Sequence, residues 1–437
     1  MGASGAPGPG RVPSGAIRTI GARGGSLLAT FLLSASAARF LGPELAGAFF
    51  LTYTIVALFA TVGRLGTDNL ALRLMGGDTK SPLTDITRLL VLASVGGIAA
   101  FLVGAVVLLL VLGDRLSPAI GLIVATCIFA QALAVVSGTV LRGLGMLASG
   151  VFAELGSLPA IATIILASLG LIGPGQVTLS AALLAMTVAA WATMAWAVPL
   201  AVLMVRRKLS DQGTAPARAV EFLREHRKRL ASMMGTSVLA YGMVWAPVFV
   251  LSIVGDLTQV SYYSVALRLA NIVALLPTIQ ISYLAPEFAR RFYAHDLTGL
   301  NALAGRSAFQ VSAITAVPLM ILIVFASPIM TIAFGSEFAP AAPIMVILSV
   351  GVFLVMLMGQ VNQLMLLCGL ESTALALSFS GLVIWVTVGT WLSAQSGAVG
   401  TAWLGAVVGV SYSAAAAVAL KRRQGIRSYA RIPSRLR

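Results

Sequence analysis

Arg268 stands in the stretch SYYSVALRLANIV (261–273), which is otherwise apolar enough to cross a bilayer. A guanidinium inside hydrocarbon is costly, so such a cation faces the bundle interior or a water-filled cavity and marks a functional site by default. Projected at 100° per residue, Ser261, Ser264, Arg268, Asn271, Thr278 and Ser282 fall within an arc about 100° wide. Leu275 interrupts the series, and Ala266, Leu269, Ala270, Val273 and Pro277 form the opposite face. Arg268 lies about 10 Å from the end of its span at ~1.5 Å per residue. A second stripe, Thr19, Arg23, Ser26, Thr30 and Ser34, occupies roughly 80° of the first apolar span. Hydroxyls, an amide and guanidinia on two helix faces suit recognition of a polar ligand in a lumen. Arg268, Asn271, Ser264, Arg23, Thr30 and Arg18 are therefore the candidate binding residues. Arg23 and Arg18 have a second reading as interfacial anchors, and Arg268 as the partner of a carboxylate. Glu154, about one turn into the fifth span, is either the partner of Arg142 or a proton or cation site. Gln131, Gln360, Asn362 and Gln363 read as bonds between helices.

Bond-making chemistry finds little support. His226 and His295 fall in polar loops, and Cys127 and Cys368 in apolar stretches without metal spacing. GGDTKS (76–81) lacks the Gly-Lys pair of a phosphate loop. No cofactor and no metal are expected.

The elements that must position these residues are membrane helices. The chain has 437 residues, 59% hydrophobic and 10% charged, which excludes an ordinary soluble domain. A membrane barrel would show short alternating segments instead. Twelve spans are expected, at 20–40, 44–64, 88–112, 118–141, 149–172, 177–205, 232–254, 260–286, 307–333, 340–367, 372–394 and 397–420. With both termini in the cytoplasm, all of the 29 Lys and Arg except Arg39, Arg115 and Arg268 lie on the inside, as the positive-inside rule requires. The formal net charge of +15 is then mainly a topology signal. The basic stretch 206–230 is expected to meet anionic lipid rather than nucleic acid. Its part 218–230 is expected to form a surface helix.

The chain also repeats itself. GAFF (47–50) and SYYS (261–264) open spans two and eight, and RRK (206–208) and KRR (421–423) close spans six and twelve at nearly the same separation. LRGLG (141–145) and LCGLE (367–371) match at a slightly longer one. The organisation expected is a disordered cytoplasmic N-terminus (1–14), a six-helix lobe (15–208), a basic linker (209–231), a second six-helix lobe (232–420) and a basic tail (421–437). Six spans per lobe put the pseudo-twofold axis along the membrane normal, with the binding site between the lobes. The N-terminus carries no signal peptide pattern.

ARFLGPELAGAFFLTYTIVALFATVGRLGTDNLALR (38–73), SYYSVALRL (261–269), YLAPEFARR (283–291), IAFGSEFAPAAPIMVIL and SGAVGTAWLGAVV resemble, in order, the polysaccharide exporters of the multidrug/oligosaccharidyl-lipid/polysaccharide (MOP) flippase superfamily. The resemblance implies an all-α fold of twelve helices in two lobes around a central lumen, like that of the multidrug and toxin extruders (MATE). It implies a flippase for a polyprenyl-diphosphate-linked glycan in a bacterial inner membrane, serving lipopolysaccharide or exopolysaccharide synthesis. Membrane lipids, a polysaccharide polymerase and glycosyltransferases are its implied partners, and a monomer its implied state. Arginine suits such a cargo, because it makes bidentate, charge-assisted bonds to phosphate. One departure is plain: members often carry an aspartate early in span seven, where this chain has Ala246 and Pro247. A multidrug or organic-cation antiporter of the same fold would need a carboxylate facing the lumen, and only Glu154 is offered by the first lobe. A glycan polymerase or ligase commonly needs sizeable outer loops, which are a handful of residues each here.

Overall fold

The computed structural model describes residues 14–75, 82–173, 177–209, 219–254, 256–273 and 275–431. The side chains of 14–17, 19, 20, 219–221, 273, 275–279, 281–283 and 286 lie outside the described residues. The proposed disordered segment 1–14 therefore falls almost wholly outside them, as do 210–218 of the linker and 432–437 of the tail. The described residues are helical, with no strand among them.

The first helix, α1 (Ser14–Gly63), is two crossings in one run. It folds back at Gly42, whose φ of 70° and ψ of 175° suit a residue without Cβ. Pro43 follows, at the first helical position, where its missing N–H costs nothing. The sequence LGPE thus encodes the turn between spans one and two. A short α2 (Thr67–Arg73) leads to α3 (Pro82–Leu112) and α4 (Pro118–Gly143). The Ser117 hydroxyl caps α4 by accepting from the Ile120 N–H. Span five comprises α5 (Leu147–Val151), a π-helical turn at Phe152–Gly156 and α6 (Ser157–Ile172). Then α7 (Leu179–Lys208) closes the first half on Arg206, Arg207 and Lys208.

In the second half come α8 (Ala219–Val254), α9 (Leu257–Val273) and α10 (Leu275–Tyr293). Span nine follows as α11 (Leu297–Val324) and α12 (Ala326–Phe334). Span ten is α13 (Ala342–Leu357) and α14 (Val361–Leu367). The last two crossings are α15 (Glu371–Ile384), a π turn at Trp385–Gly389 and α16 (Thr390–Gln424), which bends at Gly397. Nine described helices are long and apolar enough to cross a membrane. Gly21–Gly63 and Glu371–Gln424 each fold back once, and α9 with α10 supplies one crossing more. That makes the twelve expected. The chain is a multi-pass membrane protein, and apolar side chains such as Leu110 and Ile253 lie exposed on its outer face.

Span eight, expected over 260–286, is covered by α9 and α10, with residue 274 between them outside the described residues. Two expectations are corrected. The described part of the stretch 218–230 is no separate surface helix. It is the N-terminal end of α8, docked on the first half by buried Phe222, over which Arg88 sits at 5.8 Å. The second correction concerns the repeat. Gly145 and Gly369 both take positive φ, of 85° and 70°. In both turns a backbone N–H reaches back five residues, Met146 to Leu141 and Leu370 to Met365, at 2.9 Å. Gly369 therefore corresponds to Gly145, not to Gly143 as the letters LRGLG and LCGLE suggest.

Within each half the long helices pack on one another: α4 on α3 and α7, and α13 on α9 and α16. Across the halves the main contact is α1 on α9. Gly47 makes it possible, because a Cβ there would run into the Leu257 carbonyl. This close approach sets α9, and Arg268 with it, against both segments of α1.

Candidate functional site

The first segment of α1 carries its hydroxyls in a particular way. Ser26, Thr30 and Ser34 each donate to the carbonyl four residues earlier, at 2.8, 2.9 and 2.6 Å. Such back-bonding satisfies the hydroxyl proton inside a membrane helix. It leaves the oxygens free to accept. Arg268, arriving on α9, donates through Nη1 to Ser34 Oγ and to the Thr30 carbonyl. Its guanidinium lies over the Phe50 ring at 4.6 Å and near the Tyr53 ring at 5.8 Å. A cation over an aromatic face gains electrostatic attraction. Among the described residues no carboxylate lies within ion-pair distance of Arg268 or Arg23. The buried Nε atoms of both have no hydrogen-bond partner.

Arg23, Thr30, Arg268, Asn271 and Glu154 all line one cavity of about 620 Å³. That volume is typical of a small-molecule site. Its walls come from spans one, two, four, five, six, seven and eight. Arg268 sits at the level of Thr30 and Ser34, and Arg23 lies roughly 10–16 Å nearer the terminal end of α1 at the helical rise.

Two candidates lie elsewhere. Arg18 is exposed near the start of α1 and does not line the cavity. Ser264 is buried, also outside the cavity lining, with its Oγ unpartnered. Ser261, on the same arc, is spent on the Thr258 carbonyl at 2.8 Å. The polar face of α9 therefore begins as a contact between helices and becomes cavity wall only from Arg268 onward. Thr19, Thr278 and Ser282 lie outside the described residues as far as side chains go.

Glu154 is held by both of its neighbours on α4. Arg142 Nε donates to Glu154 Oε1 at 2.7 Å, and Thr139 Oγ1 donates to the same oxygen at 2.9 Å. The π turn that carries Glu154 fits closely to α4, where Gly138 and Gly150 meet. Gln131, read as a bond between helices, lines the cavity instead, whereas Asn362 does link helices by accepting from Tyr412 Oη at 2.8 Å.

Tyr53, Tyr241 and Trp245 complete the wall, and none was singled out from sequence. Tyr241 and Trp245, four residues apart on α8, stack at 6.0 Å, and Tyr241 Oη donates to the Thr54 carbonyl at 2.9 Å. The spacing YGMVW was the available signal. Trp245 stands beside the point in span seven where the superfamily often has its aspartate.

Solved structures of this architecture exist. A MATE family transporter of the MOP superfamily, in an inward-facing conformation, aligns over 91% of this chain and 96% of its own, with a TM-score of 0.63 and 15% identity. The lipid II flippase MurJ, in an inward closed conformation, aligns over 93% and 87%, with a TM-score of 0.66 and 12% identity. A mutant of the Vibrio cholerae MATE transporter VcmN aligns over 94% and 98%, with a TM-score of 0.63 and 17% identity. No family model matches the chain, and no curated protein does. The chain has the fold of MOP superfamily transporters, as its sequence motifs imply. At these identities the likeness speaks for the fold alone.

Proposed function

We propose that this chain is a flippase that carries a polyprenyl-diphosphate-linked oligosaccharide from the inner to the outer leaflet of a bacterial cytoplasmic membrane, for polysaccharide export. The observation that carries the reading is Arg268, a guanidinium in the cavity wall with oxygen and aromatic partners but, among the described residues, no carboxylate. Such a group is electrostatically unfinished, and a diphosphate completes it with bidentate, charge-assisted bonds. Arg23 offers a second cation along the same wall. Hydroxyls, Gln131 and the Tyr241–Trp245 pair give a glycan polar and stacking surfaces. Rocking of the two halves about the cavity exposes it to each side in turn. An inside-negative potential favours outward passage of an anion by about 2.3 kcal/mol per charge per 100 mV. The basic residues place both termini in the cytoplasm under this reading, with glycosyltransferases upstream and a polymerase downstream.

Glu154 favours a second reading, an organic-cation antiporter, since it is a carboxylate in the cavity wall. Its bonds to Arg142 and Thr139 weigh against that. Ligand charge decides between them. Inorganic diphosphate is expected to raise the thermal stability of the detergent-purified protein, while tetraphenylphosphonium leaves it unchanged. Saturation at about 100-fold over Kd corresponds to roughly 2.7 kcal/mol of stabilisation. Stabilisation by the cation alone contradicts the flippase reading.

A further inference from the structure

Arg39 has no part in the cavity, yet it is one of only three cations outside the cytoplasmic set of the sequence topology. The others are Arg268 and Arg115, and Arg115 is paired with Glu44 at 2.8 Å. Arg39 has no carboxylate partner among the described residues. It is exposed, at the Gly42 end of the first segment of α1. Its Nε donates to the Ala333 carbonyl at 3.2 Å and one Nη to the Ile332 carbonyl, at the last turn of α12. Beside it runs a groove of about 730 Å³ between α1, α6 and α12, walled by Phe31, Leu32, Phe40, Leu171 and Ile332. Leu171 is 89% and Ile332 72% exposed, so the groove opens sideways from the bundle.

Phe31 lines both this groove and the central cavity. It meets Phe334 edge to face at 5.7 Å, an aromatic contact between the halves. Along α1, Arg39 lies five residues beyond Ser34, the partner of Arg268, about 8 Å further along the axis and about 140° around it. Phe31, on the boundary between those two faces, is the wall that the groove shares with the cavity.

We propose that this groove is the post-translocation site of the transported lipid, with its hydrocarbon chain against Phe31, Leu171 and Ile332 and its phosphate end at Arg39. The proposal rests on the flippase reading. An apolar channel ending in an unneutralised cation at the bilayer surface matches an anionic amphiphile. Its shared wall with the cavity favours the cargo over bulk phospholipid, which gains nothing from that continuity.

The test uses the full-length protein in phosphatidylcholine vesicles and a polyprenyl diphosphate bearing a photoactivatable group on its chain. Cross-links are mapped by mass spectrometry. Label is expected at Leu171 and Ile332. Arg39→Gln should lower it by about tenfold or more, the loss of one hydrogen bond to a charged group, and Arg39→Lys should largely retain it. Leu171→Trp, at a position facing lipid where bulk does not disturb the core, should also lower it by filling the groove. Excess phosphatidylglycerol should not displace it. Equal displacement by phosphatidylglycerol would mean bulk lipid only and overturns the proposal. Label confined to the Tyr53 wall of the cavity overturns it while leaving the flippase reading intact. Absence of label in both places removes both.

Discussion

Replacing Arg268 with alanine is expected to lower translocation of a lipid-linked diphosphate by at least about 100-fold while the protein stays folded in the membrane. Two charge-assisted bonds to phosphate, at about 1.5 kcal/mol or more each, carry that factor. The fold survives for a local reason. The acceptors of Arg268 are Ser34 Oγ and a backbone carbonyl, and Ser34 already donates its own proton to Thr30. No carboxylate is left without a partner. Arg268→Lys should recover little, because an ammonium cannot lie flat over Phe50 and bind bidentately. Vesicle translocation and membrane abundance, measured side by side, check this. Wild-type translocation by the alanine variant would remove Arg268 from the site.

Glu154→Ala is expected to destabilise the protein by about 3 kcal/mol, the low end for removing one partner of a buried ion pair. The low end applies because the Arg142 side chain is 27% exposed. The loss is asymmetric: Arg142 remains, packed against Gly150, with its charge uncompensated. Removing it as well, in the double alanine variant, should restore much of the stability. Glu154→Gln keeps an acceptor for Thr139 and should keep most transport. Thermal unfolding and transport of the three variants separate the roles. Loss of transport in Glu154→Gln at undiminished stability would mean that Glu154 carries the coupling ion.

The fold was largely legible because hydrocarbon imposes length and apolarity on every crossing. The LGPE turn, the RRK and KRR exits and the alternation of basic and bare loops state it openly. Local detail was harder. Residues 219–230 are polar, so nothing in their composition ties them to the apolar run that continues them as α8. Angular projection put Ser264 beside Arg268, but an arc has no information about where along a helix a neighbour ends, and Ser264 is buried outside the cavity lining. Tyr53, Tyr241 and Trp245 escaped notice because aromatic residues are common in membrane helices and only tertiary packing turns these inward. The shift of the repeat from Gly143 to Gly145 shows a related limit. Glycine is written identically whether it packs closely or turns the chain, and only φ tells the two apart.

The most direct measurement of the central claim is reconstitution of the purified protein in vesicles with a fluorescent polyprenyl-diphosphate glycan on the inner leaflet. Protein-dependent appearance of the glycan on the outer leaflet is expected, blocked in Arg268→Ala and accelerated by an inside-negative potential. Vesicles that expel organic cations yet never expose the glycan would contradict it.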